Sequence, residues 1–336
     1  MRSVSLLASV LTAGSLALTA CGGDGTDDDA APEADHAAAV VEGDPDTWPF
    51  TGLPVDGADT SILRRPVLVL KMDNTGSSAP QKGLGSADLV VEELVEGGMT
   101  RLAAFYYSDI PGEVGPVRSM RASDIGIVAP ADGAMVTSGA AQVTIGRIRG
   151  AGIDYYAEGA AGFFRDSSRS APYNLFTNLE DVAKAADQTK GRPADYLPWG
   201  EEGDLPQGQP AGRLAAIFSG GHTTNWTFQD GGYVNENSFA ADGDEFPADT
   251  VLVLRVPVGD AGYRDPAGNA VPETKLEGRG EAMVFHDGQL VRGSWSKDDL
   301  GSPIELTTKS GDLAVPAGRV WVELVPTGSG DVTFSP

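Results

Sequence analysis

One cysteine in 336 residues, Cys21, sets limits on how this chain can be held together. With no second thiol there is no intramolecular disulfide, and no cysteine-rich zinc site can be assembled. The residues that follow Cys21 narrow the problem further. From Gly22 to Thr47 the chain carries nine acids (Asp24, Asp27, Asp28, Asp29, Glu33, Asp35, Glu42, Asp44 and Asp46), no Lys or Arg, and almost no large apolar side chain. Such a segment buries too little to offset the entropy of ordering, and its charges repel one another, so residues 21–47 are expected to form an extended acidic tether. The folded body then starts at Trp48. It spans about 290 residues, more than one domain usually holds, so two domains are expected.

The other side of Cys21 reads as an export signal. Met1-Arg2-Ser3 precedes an apolar run from Val4 to Leu18. A membrane-crossing helix needs roughly 20 apolar residues, so the run is short for a span and suits a secretory signal over residues 1–20. Its end, Leu18-Thr19-Ala20-Cys21-Gly22, resembles a bacterial lipobox. That resemblance implies lipid on the Cys21 sulfur, with palmitate-type acyl chains, and cleavage that leaves Cys21 as the new N-terminus. An ordinary signal peptide with a chance cysteine is the other reading. A thiol used nowhere else, placed where a lipobox needs it, favours lipidation. Two acyl chains, at about 0.8 kcal/mol per buried methylene, anchor stably where one is marginal. The expected location is the extracytoplasmic face of the cell membrane.

Charge removes several partners. The formal net charge is −24, and the nine tether acids account for less than half of it. Nucleic-acid binding through phosphate neutralisation is improbable for so acidic a body, and docking on anionic lipid or wall polymer by charge alone is disfavoured.

The body divides by pattern. In its first part, Pro66–Met72 and Thr100–Ser108 read as strands, Ala87–Glu96 as a β-branched run halted by Gly97-Gly98, and Gly133–Ser138 as a strand. Ser119–Ala129, Ala141–Arg149 and Asn178–Thr189 read as helices, the last with Asn178 as N-cap and acids in its first turn. Pro193–Pro210 is rich in Gly, Pro and acids. Beyond it strands dominate, including Thr250–Val258, Glu281–His286, Gln289–Ser296 and Arg319–Val325, with Asp287-Gly288 suited to a two-residue hairpin turn. The expected fold is α+β: a mixed α/β domain over residues 48–192, a linker over 193–212 and a mainly β domain over 213–327.

Several strings together resemble the DUF3048 family of YerB-like lipoproteins. They are Lys71-Met72-Asp73-Asn74 with Pro80-Gln81-Lys82-Gly83-Leu84; Ala87-Asp88-Leu89-Val90-Val91-Glu92 running into Val95-Glu96-Gly97-Gly98-Met99-Thr100-Arg101; and Gly115-Pro116-Val117-Arg118-Ser119-Met120-Arg121. In the second half the resemblance rests on Gly280–Phe285, Gly293-Ser294-Trp295 and Gly318–Pro326. It implies an α/β domain followed by a β-rich one and a lipoprotein habit, and it implies no activity. The stretch Trp226–Asp249 departs from the family pattern in lacking a histidine.

The chemistry-bearing residues gather in those first-half strings. Asp73, Asn74, Glu92, Glu96, Thr100, Arg101, Arg118 and Arg121 form a candidate polar cleft. If Glu92 and Glu96 share one strand face they lie roughly 13 Å apart, beyond the ~5–9.5 Å of glycosidase carboxylate pairs. Arg118 and Arg121 would share a helix face. Two readings stand for the arginines: an ion-pair network tying loops to the sheet, or a fork that clamps a carboxylate, phosphate or sugar hydroxyl. His222 and His286 lack a third ligand nearby, and Ser219-Gly220-Gly221-His222 reads as a loop between strands. Trp295 and Trp321 sit in strand patterns and suit core packing better than a sugar groove. No metal and no cofactor are expected.

The leading functional reading is therefore a membrane-anchored binding or interaction protein of the cell envelope, with a cell-wall or small-molecule ligand in the polar cleft. The alternative is an envelope enzyme that acts on wall glycan or another carbohydrate through paired carboxylates. A solute-binding protein of a transporter would need two similar lobes, and the strand-rich second half argues against it.

Overall fold

A computed structural model describes residues 46–55 and 63–336. The signal, Cys21 and nearly all of the tether lie outside the described residues.

Strands take up 41% of the chain and helices 13%, so the fold is largely β, with few helices. It is built on one mixed sheet. From the first half come β1 (Leu68–Asn74), β2 (Leu89–Leu94), β3 (Thr100–Tyr106), β4 (Ala134–Val136) and β5 (Tyr155–Tyr156). A four-stranded antiparallel sheet is made by β6 (Arg213–Ile217), β7 (Thr223–Gln229), β8 (Gly232–Asn235) and a last strand described below. The main sheet resumes with β9 (Thr250–Val256), β10 (Gly278–His286), β11 (Gln289–Lys297), β12 (Glu305–Thr308), β13 (Gly311–Asp312) and β14 (Val320–Pro326). The chain closes with β15 (Asp331–Ser335), which pairs with β6.

The main sheet runs β13-β12-β11-β10-β9-β14-β2-β3-β1-β4-β5. Its centre is the seam between the two halves of the chain. β14 lies parallel to β9 on one side and parallel to β2 on the other, with Glu323 opposite Glu92. Strands from the two segments therefore share one hydrogen-bonded ladder. The stretch read as a linker also enters the core: Tyr196 and Leu197 are buried.

Sheet-centre strands are covered on both faces, which explains why β1 and β2 read as nearly continuous apolar runs rather than alternating ones. One face carries Val69, Val91, Ala103, Phe105 and Val322, packed by Phe50, Ile125, Ile127 and Ile148. The other carries Leu70, Val90, Leu102, Ala104 and Trp321, packed by the four-stranded sheet through Leu214, Phe218 and Trp226, and by Leu179 and Val182.

Two of the three helices are shorter than their sequence patterns. Asn178 caps α3 (Leu179–Ala185) by accepting the Asp181 N–H at 3.1 Å, and the helix stops at Ala186. The expected helix Ser119–Ala129 keeps only α1 (Asp124–Val128) as α-helix. Upstream of α1 the backbone bonds sideways: Arg118 N–H to Lys71 C=O at 2.8 Å and Met120 N–H to Gly139 C=O at 3.1 Å. Those bonds hold Arg118 to β1 and Met120 to the segment after β4, where a helical register would forgo them. The third helix, α2 (Gln142–Gly150), follows β4 as expected. At the β10–β11 turn both Asp287 (φ 46°) and Gly288 (φ 66°) are left-handed, as a type I′ hairpin requires.

Candidate functional site

The eight candidate residues meet at one end of the sheet, where β1 and β2 finish and β3 begins. Asp73 stands opposite Arg101, and Asn74 opposite Thr100. Because side chains alternate along a strand, neighbours in sequence part to opposite faces. The single cleft expected from the sequence is therefore two clusters separated by the sheet. Asp73, Glu96, Arg101, Arg118 and Arg121 lie on the α1 face. Asn74, Glu92 and Thr100 lie on the face covered by the four-stranded sheet.

Glu92 and Glu96 were expected to share a strand face. The strand ends at Leu94, and Glu96 sits in a one-turn 3-10 segment whose Gly97 is left-handed at φ 71°. That turn swings Glu96 to the arginines, while Glu92 stays behind the sheet. Arg118 and Arg121 do not share a helix face; they come together along the extended approach to α1.

On the α1 face, Arg121 forks onto Glu96, Nε to Oε1 at 2.6 Å and Nη2 to Oε2 at 2.8 Å, while its Nη1 donates to Met120 C=O at 2.8 Å. Burial opposes ionisation of Glu96, but the hydrogen bond and charge of Arg121 hold its carboxyl below the usual range. Arg118 pairs with Asp73 at 2.7 Å, and its guanidinium lies 5.3 Å from the Tyr173 ring centroid. Arg101 is different. It is 8% exposed, donates from Nη1 to Ser119 C=O at 2.8 Å, and has no carboxylate within ion-pair distance among the described residues. Burial, then repulsion from Arg121, lowers its pKa to about 10 against the pull of Glu96. Deeper on this face, Lys71 is clasped between Glu93 (2.6 Å) and Asp124 (2.9 Å), all three fully buried. Burial raises Glu93, and Asp124 adds to the rise against the charge of Lys71.

On the opposite face Glu92 has a full set of partners. Glu92 Oε1 accepts from Asn74 Nδ2 (3.0 Å) and lies 2.8 Å from His222 Nε2. Thr224 Oγ1 donates to the same carboxylate at 3.0 Å, and Trp321 Nε1 reaches Oε2 at 3.2 Å. Asn74 Nδ2 also donates to Thr100 Oγ1 at 2.9 Å. Glu323, opposite Glu92 on β14, accepts from Trp226 Nε1 at 2.8 Å. Its Oε2 finds no donor in a site with no solvent access. Burial, with Glu92 beside it, pushes Glu323 well above the carboxylate range, which puts the proton of the pair on Glu323. Burial opposes ionisation of Glu92 as well, but the hydrogen bond and charge of His222, with Thr100 and Thr224, hold Glu92 low.

Sequence reasoning missed His222, Thr224, Glu323 and the Lys71–Glu93–Asp124 set. One signal was available: an acid inside an apolar strand, as in the runs LVVEEL and VWVELVP, is a buried-charge anomaly that demands partners. Trp226, Trp295 and Trp321 are core residues, at 1%, 0% and 2% exposure, and line no open groove.

Residues 50–192 match the model for the N-terminal domain of the "Protein of unknown function (DUF3048)" family, and residues 214–322 match its C-terminal domain. The chain is 24% identical over 294 residues to a protein of Bacillus subtilis (strain 168) named "Putative lipoprotein YerB", covering 83% of this chain and 86% of that one. The crystal structure of the YerB protein from Bacillus subtilis superposes with a TM-score of 0.71 at 21% identity, over 85% of this chain and 99% of that one. It shares the fold. With both family segments matched in order across most of the folded body, the chain belongs to the DUF3048 family.

Proposed function

We propose that this chain is a lipid-anchored protein of the extracytoplasmic face of the cell membrane, held through Cys21 and the acidic tether, whose body binds an anionic cell-wall or small-molecule ligand on the arginine face. The lipobox-like end of the export signal and the name of the Bacillus relative support the anchor. No helix of the described residues is long and apolar enough to cross a membrane.

The observation that carries the binding reading is Arg101. A guanidinium has five N–H donors; that of Arg101 meets one carbonyl and no carboxylate, and none of its nitrogens is buried without a partner, so its remaining donors reach solvent and are open to a ligand. Its neighbours Arg118 and Arg121 are each matched by an acid, so the excess charge is local to Arg101. The face is also accessible nearby: a Cβ placed on Gly97 or Gly139 would meet nothing within 4 Å. Structural pairing and ligand binding thus divide between the three arginines rather than competing for all of them. The paired-carboxylate enzyme reading gains no such support, since Glu92 and Glu323 are sealed from solvent and Asp73 and Glu96 are tied to arginines.

Two measurements test the proposal. Cys21→Ala should move the protein from the membrane fraction to the soluble fraction; quantitative retention at the membrane would defeat the anchor. A panel of small anions at matched ionic strength should raise the Tm of the wild-type chain, and Arg101→Gln should abolish the rise. An unaltered Tm across the panel would defeat the binding site.

A further inference from the structure

We infer that the group Arg101 recognises is a single carboxylate, presented by the ligand to the free edge of the guanidinium. This rests on the anion-binding reading above and deepens it.

On the α1 face three guanidinium groups stand against two carboxylates, Asp73 and Glu96. Each carboxylate serves one arginine: Glu96 takes the Arg121 fork, and Asp73 takes Arg118 Nε at 2.7 Å. Arg118 and Arg121 each have an acid, although Arg118 Nε meets Asp73 outside hydrogen-bond geometry, and Arg101 has none. Beneath them, Lys71 is clasped by Glu93 at 2.6 Å and Asp124 at 2.9 Å and offers no cation to the rim. Among the three guanidinium groups Arg101 alone has no carboxylate in contact, and one carboxylate completes the pairing.

A dianion fits the same place poorly. Phosphate would overshoot the charge and meet Asp73 and Glu96 on either side, in a chain of net charge −24. A planar carboxylate matches the guanidinium fork with two parallel hydrogen bonds, as Glu96 already does on Arg121. Ser119 and Ser138 stand at the rim with their hydroxyls 3.1 Å apart, and Ser119 C=O holds the inner nitrogen of Arg101, which orients the fork. Tyr173, beneath the Arg118 guanidinium, adds an aromatic wall for the remainder of the ligand.

The test uses the full chain in detergent, with acetate, inorganic phosphate and chloride as probes at equal ionic strength. Acetate should raise the Tm and bind measurably by calorimetry, while phosphate at the same concentration should do neither. Arg101→Gln should weaken acetate binding by about tenfold or more, the loss expected when a charge-assisted pair is removed. Arg101→Lys keeps the charge and removes the fork, and should fall between the two; it serves also if the Gln variant folds poorly. Equal acetate affinity in wild type and Arg101→Gln would overturn the assignment. Binding of phosphate without acetate would overturn the carboxylate while leaving an anion site intact. Silence from all three probes would defeat both.

Discussion

The two polar clusters sit back to back on the same strand ends, a few residues apart in sequence, and they solve the problem of buried charge in different ways. Behind the sheet every donor around Glu92 has an acceptor, and burial with Glu92 beside it holds the one surplus carboxyl, Glu323, well above the carboxylate range. On the α1 face Arg118 and Arg121 reach their acids from the segment before α1, and one guanidinium is left without a carboxylate. A closed network of the first kind rigidifies and specifies a fold. An incomplete set of the second kind stores an unmet interaction that a ligand can supply. Perturbed groups occur on both faces, so perturbation alone does not mark a functional site. Access and incompleteness mark it.

The largest effect should come from the closed face. Glu92→Ala removes the acceptor for Asn74, Thr224, His222 and Trp321 together, and should lower the unfolding free energy by roughly 3–5 kcal/mol, read from urea denaturation. A loss below about 1 kcal/mol would mean that the network is not structural. Arg118→Ala should come next: Asp73, 3% exposed, would keep Thr75 as a donor but lose its cation, at a loss of about 1–3 kcal/mol. An unchanged midpoint would move Arg118 from scaffold to pure recognition.

The third prediction concerns pH. Glu323 holds its proton more tightly when folded than when unfolded. Its contribution to stability is therefore complete below the unfolded carboxyl value of about 4.5 and fades as pH rises toward the folded value, at about 1.4 kcal/mol per pH unit in that window. Glu92, held low, acts in the opposite sense, losing stability only as pH falls below about 4.5. Glu323→Gln keeps an acceptor for Trp226 and a donor toward Glu92 without titrating. It should gain on the wild type as pH is raised from 4.5, and parallel stability curves for the two proteins would remove the shared proton from the account.

Much of the local structure was legible in the chain. The turn at Asp287-Gly288, the Asn178 cap and the apolar run of β1 are all short-range features, and they form where the residues indicate. Strand pairing over long distances was not legible. The register that sets Glu323 beside Glu92 joins residues 231 positions apart, and no periodicity within either strand specifies it. The same limit hid His222, whose loop looks featureless until β6 and β7 carry it onto the sheet. The helix expected from Ser119 failed for a related reason: backbone bonds to Lys71 and Gly139, invisible locally, outcompeted the helical register. Of the candidate site, the residue types were legible, and their division by the sheet was not.

The smallest expected change in stability carries the most weight. Arg101→Gln should cost no more than about 1 kcal/mol of unfolding free energy, read from the urea midpoint, because the side chain holds no carboxylate and loses only its one bond to Ser119 C=O. Measured alongside Glu92→Ala, that one midpoint tests whether the two faces differ as described. A near-wild-type value, together with lost acetate binding, is the result this account predicts. A loss of about 3 kcal/mol would make Arg101 part of the scaffold like Glu92, and the α1 face would then be a second closed network rather than a binding site.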